Sequence, residues 1–102
     1  MSVPNRYINA TQQRVLHMLM RLAGHEIDGL APSELAQALR TSASTVTRDL
    51  ANLREAGMAE PLDSGRWRLT PRVVQMSLAA GAAFAKAQDR LDEARQRFTR
   101  ER

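Results

Sequence analysis

PSELAQALRTSASTVTRDLANLREAGMAEPLDSGRWRL, residues 32–69, places two short amphipathic helices, a tight turn and a polar hairpin in one order. Apolar residues recur at helical spacing in two stripes, one formed by Leu35, Ala36 and Leu39, the other by Val46, Leu50 and Leu53. Residues 40–42 are all that separates the two helices. Because so short a connection forces a sharp change of direction, the sequence predicts that the helices cross steeply.

The second of these helices begins with short, mostly uncharged side chains that can approach the edges of base pairs. They are Ser42, Ala43, Ser44, Thr45, Thr47 and Arg48. We predict that this face reads double-stranded DNA. Arg48 would contact guanine or a phosphate, Thr47 a base edge or a thymine methyl, and Arg40 in the turn a phosphate. The alternative is a solvated helix face in a domain that contacts only proteins.

The hairpin after this helix carries basic residues on one strand. We predict strands at 58–60 and 67–69, with residues 61–65 as the loop. Arg66 and Arg68 alternate with Trp67 and Leu69, so that one strand face is basic and the other apolar. We expect the two arginines to contact phosphates, and an ordinary charged strand face is the alternative.

These residues resemble the winged helix-turn-helix DNA-binding domain of the IclR family of transcriptional regulators, over roughly residues 13–78. The likeness is carried by SELAQAL, by the STVTR run of residues 44–48, by L-x-x-L-x-x-x-G from Leu50 to Gly57, and by DSGRWRLTPRVV. It implies a mainly α fold with a three-helix core and a small β-hairpin wing, followed here by a long C-terminal helix. Arg40 stands where such turns often carry Gly, so it must accept the backbone conformation that the turn imposes. Asp49 stands where an apolar residue is common, so we expect it at the edge of the core or paired with a neighbouring arginine. IclR-type regulators continue into an effector-binding domain, whereas the 102 residues here hold only one more helix after the motif. We therefore expect no small-molecule effector for this chain.

A helix is also predicted before the motif. Residues 1–8 are expected to form a flexible arm, and Asn9 with Gln12 forms a capping-box pattern for a helix that runs to about Ala23. Its predicted buried stripe is Val15, Leu16, Leu19, Leu22 and Ala23. Leu30 and Ala31 could pair with the wing as a short strand, Pro32 fits the first position of the next helix, and Thr41 or Ser42 could cap the third.

Residues 71–102 are predicted to form one long, Ala-rich helix with a seam suited to pairing with another helix. Alternating steps of four and three residues mark that seam, and we predict that it is the interface of a homodimer. It consists of Ser77, Ala80, Phe84, Ala87, Leu91, Ala94 and Phe98. A helix that packs back on its own domain, or a partly frayed tail, is the alternative.

Composition excludes several classes of protein. The 102 residues contain no Cys, and no His or acidic cluster has the spacing of a metal site, so we expect no metal, no cofactor and no enzyme activity. No apolar run is long enough to span a bilayer and no signal-peptide core is present, so a soluble, cytoplasmic protein is expected.

Residues 1–71 carry eight Arg against seven acidic residues, whereas residues 72–102 carry +3 of the total net charge of +4. The case for DNA therefore depends on where individual arginines lie.

Together these patterns predict a flexible arm (residues 1–8), a DNA-binding domain (9–70) and a dimerisation helix (71–102). The predicted function is that of a small dimeric regulator of transcription, more specifically a repressor, that binds double-stranded DNA. The alternative function is a protein-interaction module, such as an antirepressor or an assembly adaptor, whose winged helix does not bind DNA.

Overall fold

The computed structural model describes residues 5–100, which form four α-helices and one two-stranded hairpin. The helices are α1 (Ala10–Leu22), α2 (Pro32–Ala38), α3 (Ala43–Glu55) and α4 (Pro71–Thr99), and the strands are β1 (Ala59–Pro61) and β2 (Trp67–Leu69). This order confirms the predicted mainly α, winged helix-turn-helix architecture. Of the predicted arm, residues 1–4 lie outside the described residues, and Asn5–Tyr7 forms a single 3₁₀ turn.

The helix starts follow the predicted capping chemistry. The side chain of Asn9 accepts a hydrogen bond from the backbone N–H of Gln12 at 3.0 Å and so caps α1. Pro32 opens α2, where its missing N–H has no intrahelical partner to lose. Ser42, rather than Thr41, caps α3, because its hydroxyl accepts from the backbone N–H of Thr45 at 3.2 Å.

The core lies where α1, α2, α3 and the hairpin meet. Its buried side chains are Met18, Leu22, Leu35, Val46, Leu50, Leu53, Ala59 and Leu69. All three predicted residues of α3 are therefore confirmed. Within α2, Leu35 is buried, and the other two residues of its predicted stripe are half-buried.

The predicted stripe of α1 is only partly correct. Leu22 is buried, but Leu16 is 51% exposed, Ala23 is exposed, and Met18, which the prediction omits, is fully buried. The line of residues that faces the core runs through positions 14, 18 and 22, four residues apart, with Arg14 half-buried. Because that line begins with a charged residue, Arg14, a search for apolar residues at helical spacing selected a stripe rotated around the helix from the one that is buried.

The hairpin pairs antiparallel, with Ala59 opposite Leu69 and Pro61 opposite Trp67. Pro61 was predicted in the loop but belongs to β1. It is tolerated there because Trp67 directs its N–H and C=O to Leu30 on the other side, both at 2.8 Å. The predicted pairing of the Leu30 segment with the wing is thereby confirmed.

The chain divides into two compact units, Met1–Arg72 and Val73–Arg102. The second unit contains nearly all of α4, which is one uninterrupted helix as predicted but ends at Thr99. Residues 101 and 102 of the predicted helix lie outside the described residues. Along it, every described side chain is exposed except Val73 and Ala94, which are half-buried. None of the helices within residues 5–100 combines the length and the hydropathy that crossing a membrane requires.

Candidate nucleic-acid interface

The first turn of α3 is held by a small network of hydroxyl groups. Besides capping the helix, the Ser42 hydroxyl donates to Oγ1 of Thr45 at 2.8 Å and lies 3.1 Å from Oγ of Ser44. Thr45 is half-buried, whereas Ser42 and Ser44 are exposed. The network therefore fixes the orientation of the two exposed side chains, Ser42 and Ser44, both of which are predicted contact residues.

The exposed face of α3 continues with Ala43, Thr47 and Arg48. The Thr47 hydroxyl donates to the carbonyl oxygen of Ala43 at 3.0 Å, so its proton is used within the helix. What remains available is the methyl group and the lone pairs of the oxygen. Thr47 is thus suited to contact a thymine methyl or to accept from a base amino group.

Two of the predicted arginines have unoccupied guanidinium groups. Within residues 5–100, neither Arg40 nor Arg48 makes a side-chain hydrogen bond or an ion pair, and both are exposed. Arg40 adopts a φ of +53°, the left-handed conformation that glycine adopts more readily. The prediction that this arginine must accept the backbone conformation of the turn is confirmed.

Asp49 is buried on the opposite face of α3 and forms an ion pair with Arg14 of α1. Its carboxylate accepts from Nε of Arg14 at 2.6 Å and from Nη2 at 3.2 Å. The side chain of Asp49 is 3% exposed and that of Arg14 is 22% exposed. This hydrogen bond raises the pKa of Arg14, and the charge of Asp49 acts in the same direction.

The ion pair ties α3 to α1 and so positions the exposed face of α3. Of the two predicted positions for Asp49, the edge of the core or a pair with a neighbouring arginine, the structure shows a buried pair, and its arginine lies 35 residues away in the sequence. A carboxylate within the apolar stripe of α3 signals a buried pair. Nothing in the sequence distinguishes Arg14 from the other arginines as the partner.

The wing arginines already have partners inside the domain. Arg66 donates to the carbonyl oxygens of Asp28 and Gly29, each at 3.0 Å, and its Nη2 lies 3.1 Å from a carboxylate oxygen of Glu34. Arg68 donates to Glu60 at 2.9 Å. Both arginines are half-buried. Arg66 thereby fastens the hairpin to the loop before α2 and to α2 itself, whereas Arg68 pairs with Glu60 across the two strands. Contact of either arginine with phosphate remains a prediction.

The predicted dimerisation residues lie along α4. Phe84 is 77% exposed, Leu91 is 55% exposed and Phe98 is 84% exposed. The two alanines of the seam at positions 80 and 87 are exposed too, and Ala94 is half-buried. Large apolar side chains thus remain in contact with water over four turns of helix.

Metal-binding clusters and cavities are the other kinds of site to consider within residues 5–100. No group of three His, Asp or Glu side chains within residues 5–100 is arranged to hold a metal ion. A cavity of about 440 Å³, open to solvent, lies between α1 and α3 and is lined by Thr11, Arg14, Thr45, Arg48, Asp49 and Asn52. Arg48 therefore lines the same cavity as the Arg14–Asp49 ion pair that ties α3 to α1.

Residues 7–61 match the sequence model of a family described as a helix-turn-helix domain. No curated protein matches the chain. An IclR transcriptional regulator from Silicibacter sp. TM1040 has a similar fold, with a TM-score of 0.63 and 24% identity over 79% of this chain and 33% of that one.

Two further solved structures share the fold. A mutant of MepR from S. aureus, bound to an oligodeoxyribonucleotide, is 23% identical, with a TM-score of 0.53 over 78% of this chain and 62% of that one. A mutant of ZitR from Lactococcus lactis is 21% identical, with a TM-score of 0.51 over 97% and 68%. The chain spans less than two thirds of the IclR and MepR chains. At these identities the likeness establishes the winged helix-turn-helix fold.

Proposed function

Because the chain belongs to the helix-turn-helix domain family, we propose that it binds double-stranded DNA in a sequence-specific way and regulates transcription as a small dimeric repressor. Residues 9–70 would bind DNA and residues 71–102 would join two copies. The observation that carries this proposal is the exposed start of α3, where Arg48 makes no side-chain hydrogen bond or ion pair with any of residues 5–100. A MepR mutant of the same fold is bound to an oligodeoxyribonucleotide, which supports DNA as the ligand class.

Arg48 is the proposed base-reading residue. A guanidinium group that forms two hydrogen bonds to guanine discriminates by about 1–3 kcal/mol against the wrong base. Ser42, Ser44 and Arg40 would contact the phosphate backbone and set the register, as such contacts usually do. Arg66 and Arg68 would add phosphate contacts only with the part of each guanidinium that their intradomain partners leave available.

Two copies joined through α4 would present two reading helices to one duplex. A symmetric dimer matches an inverted-repeat site, because each half-site meets the same surface. Repression then follows from occupancy of a promoter, without a bound small molecule.

The test is selection of genomic fragments at about physiological salt, followed by sequencing, with the Arg48→Ala variant in parallel. Arg54→Ala is the matched control, since Arg54 is an exposed arginine of the last turn of the same helix. We expect one palindromic site with the original chain and with the control, and relaxed preference with Arg48→Ala. Unchanged affinity and preference in Arg48→Ala would contradict the assignment of the reading face.

The engaged wing arginines favour one second candidate, a protein-interaction module. Arg66 and Arg68 are both paired with glutamates, which lowers the positive charge that the wing offers to a phosphate backbone. A module of this kind would select no DNA fragment above background even at low salt, where electrostatic binding is strongest. The same selection, repeated at low salt, therefore separates the two candidates.

A further inference from the structure

Large and small residues alternate along the exposed seam of α4. Phe84, Leu91 and Phe98 occupy one set of seam positions, and alanines occupy the other set at 80, 87 and 94. All three large residues are exposed, and Phe84 and Phe98 are among the most exposed apolar side chains of the described chain. This alternation restricts how a second copy of the helix can cover the seam.

A parallel, in-register pair would place like residues together. In that arrangement each seam residue faces its own copy, so Phe84 meets Phe84 and Ala87 meets Ala87. Layers of two aromatic rings would alternate with layers of two methyl groups. A single distance between the helix axes cannot suit both kinds of layer. The distance that fits the aromatic layers leaves voids at the alanine layers, and the distance that fits the alanine layers overpacks the aromatic ones, and either costs stability.

We propose that two α4 helices pair antiparallel, in a register that sets each large seam residue of one copy against an alanine of the other. This inference rests on the dimer of the proposed function. The facing pairs are Phe84 with the partner's Ala94, Leu91 with the partner's Ala87, and Phe98 with the partner's Ala80. All three pairs belong to one register, since their residue numbers add up to 178 in each case. A shift by one heptad would set Ser77 against the partner's Ala94, two small residues.

The charged residues beside the seam favour the same arrangement. In a parallel pair, Arg90 of each copy would flank the partner's Arg95, a repulsive contact that occurs twice. In the antiparallel register Arg95 flanks the partner's Gly81 instead, and Arg97 flanks the partner's Ala83. One like-charge contact remains, between the two copies of Arg90 at the centre.

Gly81 is explained by this register. A glycine within a helix costs about 1 kcal/mol relative to alanine. A Cβ added at Gly81 would meet nothing within 4 Å in the described chain. No contact within a single described chain therefore requires a glycine at this position. In the antiparallel pair the small residue leaves room for the partner's Arg95.

The antiparallel pair sends the two N-terminal units to opposite ends of the paired helices. In this register the two copies of Val73 lie 32 residues apart along the helix axis. At ~1.5 Å per residue, the points at which the units join the pair are about 48 Å apart. A parallel pair would bring both points to the same end.

Single cysteine variants distinguish the two arrangements, because the chain has no cysteine of its own. Gln88 flanks the seam, and in the antiparallel register the two copies lie within about 3 Å of each other along the axis, on the same side. Ala80 and Ala94 face their own copies only in a parallel pair. In the antiparallel pair the two copies of Ala80 are separated by ~27 Å and those of Ala94 by ~15 Å.

The experiment treats the Gln88→Cys, Ala80→Cys and Ala94→Cys variants of the 102-residue chain with a short bis-maleimide, after sedimentation has established their oligomeric state. We expect a species of twice the 11.4 kDa chain mass from Gln88→Cys and none from the two alanine positions. Crosslinking at either alanine position, no crosslinking at all, or monomers in sedimentation would each overturn the proposed pairing. A mobility shift with the same proteins reports DNA binding separately, so that a failure of the proposed function is recognised as such.

Discussion

Replacement of Arg40 by glycine should stabilise the domain while it removes a proposed DNA contact. Arg40 has a φ of +53° in the turn between α2 and α3. A residue with a Cβ in the left-handed region is strained by about 1–2 kcal/mol, because its Cβ approaches the following carbonyl oxygen. Glycine has no such strain, although its unfolded chain gains about 0.4–1 kcal/mol of conformational freedom.

The difference between these terms leaves Arg40→Gly more stable by about 0.5–1 kcal/mol, equivalent to a rise in Tm of about 3–6 °C for a domain of this size. Arg40→Ala keeps the Cβ and the strain, so its free energy of unfolding should stay close to that of the original chain. Ala51→Gly is the control within an exposed stretch of α3, and it should lose about 1 kcal/mol.

Urea denaturation followed by the fluorescence of Trp67, the single tryptophan, measures all three variants. If Arg40→Gly is no more stable than Arg40→Ala, the argument from the turn conformation is refuted. Binding to the selected DNA should weaken equally in both Arg40 variants, because both lack the guanidinium group. That equality separates the effect on stability from the effect on DNA binding.

Two further predictions concern how the domain is held together. Gly29→Ala should be markedly less stable than Gly24→Ala in the same urea assay. Both glycines have positive φ, but a Cβ at Gly29 would lie 2.6 Å from the carbonyl oxygen of Trp67, whereas one at Gly24 meets nothing within 4 Å; equal losses would contradict the role of this close approach. Arg14→Ala should destabilise more than Asp49→Ala, because the first leaves a buried carboxylate without its partner and the second leaves an arginine that can reach water. A double-mutant cycle measures the coupling between the two residues, and additive losses would contradict it.

Much of the fold could be predicted because local chemistry determines it. The caps at Asn9 and Ser42, the position of Pro32 and the apolar period of α3 each act within a few residues. The stripe of α1 could not be located as well. Its buried line includes Arg14, and only a tertiary contact with Asp49 makes a charged residue compatible with that line.

The candidate site shows the same division between local and long-range effects. The exposed polar start of α3 follows from the helix period and could be predicted from the sequence. The engagement of Arg66 could not, because its partners Asp28, Gly29 and Glu34 come from a loop and a helix more than 30 residues earlier. Whether an arginine is available to a ligand depends on such contacts, which leave no periodic signal in the sequence.

The near-neutral charge of residues 1–71 is compatible with DNA binding once the ion pairs are considered. Three acidic residues, Asp49, Glu34 and Glu60, are each held by an arginine of the core or the wing. Each of these pairs cancels its charge within the pair. Arg40 and Arg48 lie at the turn and on the first turns of α3, without an acidic partner in the described residues, so their charge is not neutralised there. A domain with a net charge of +1 can thus concentrate positive potential at one edge, and it is this local potential, rather than the total charge, that a phosphate backbone meets.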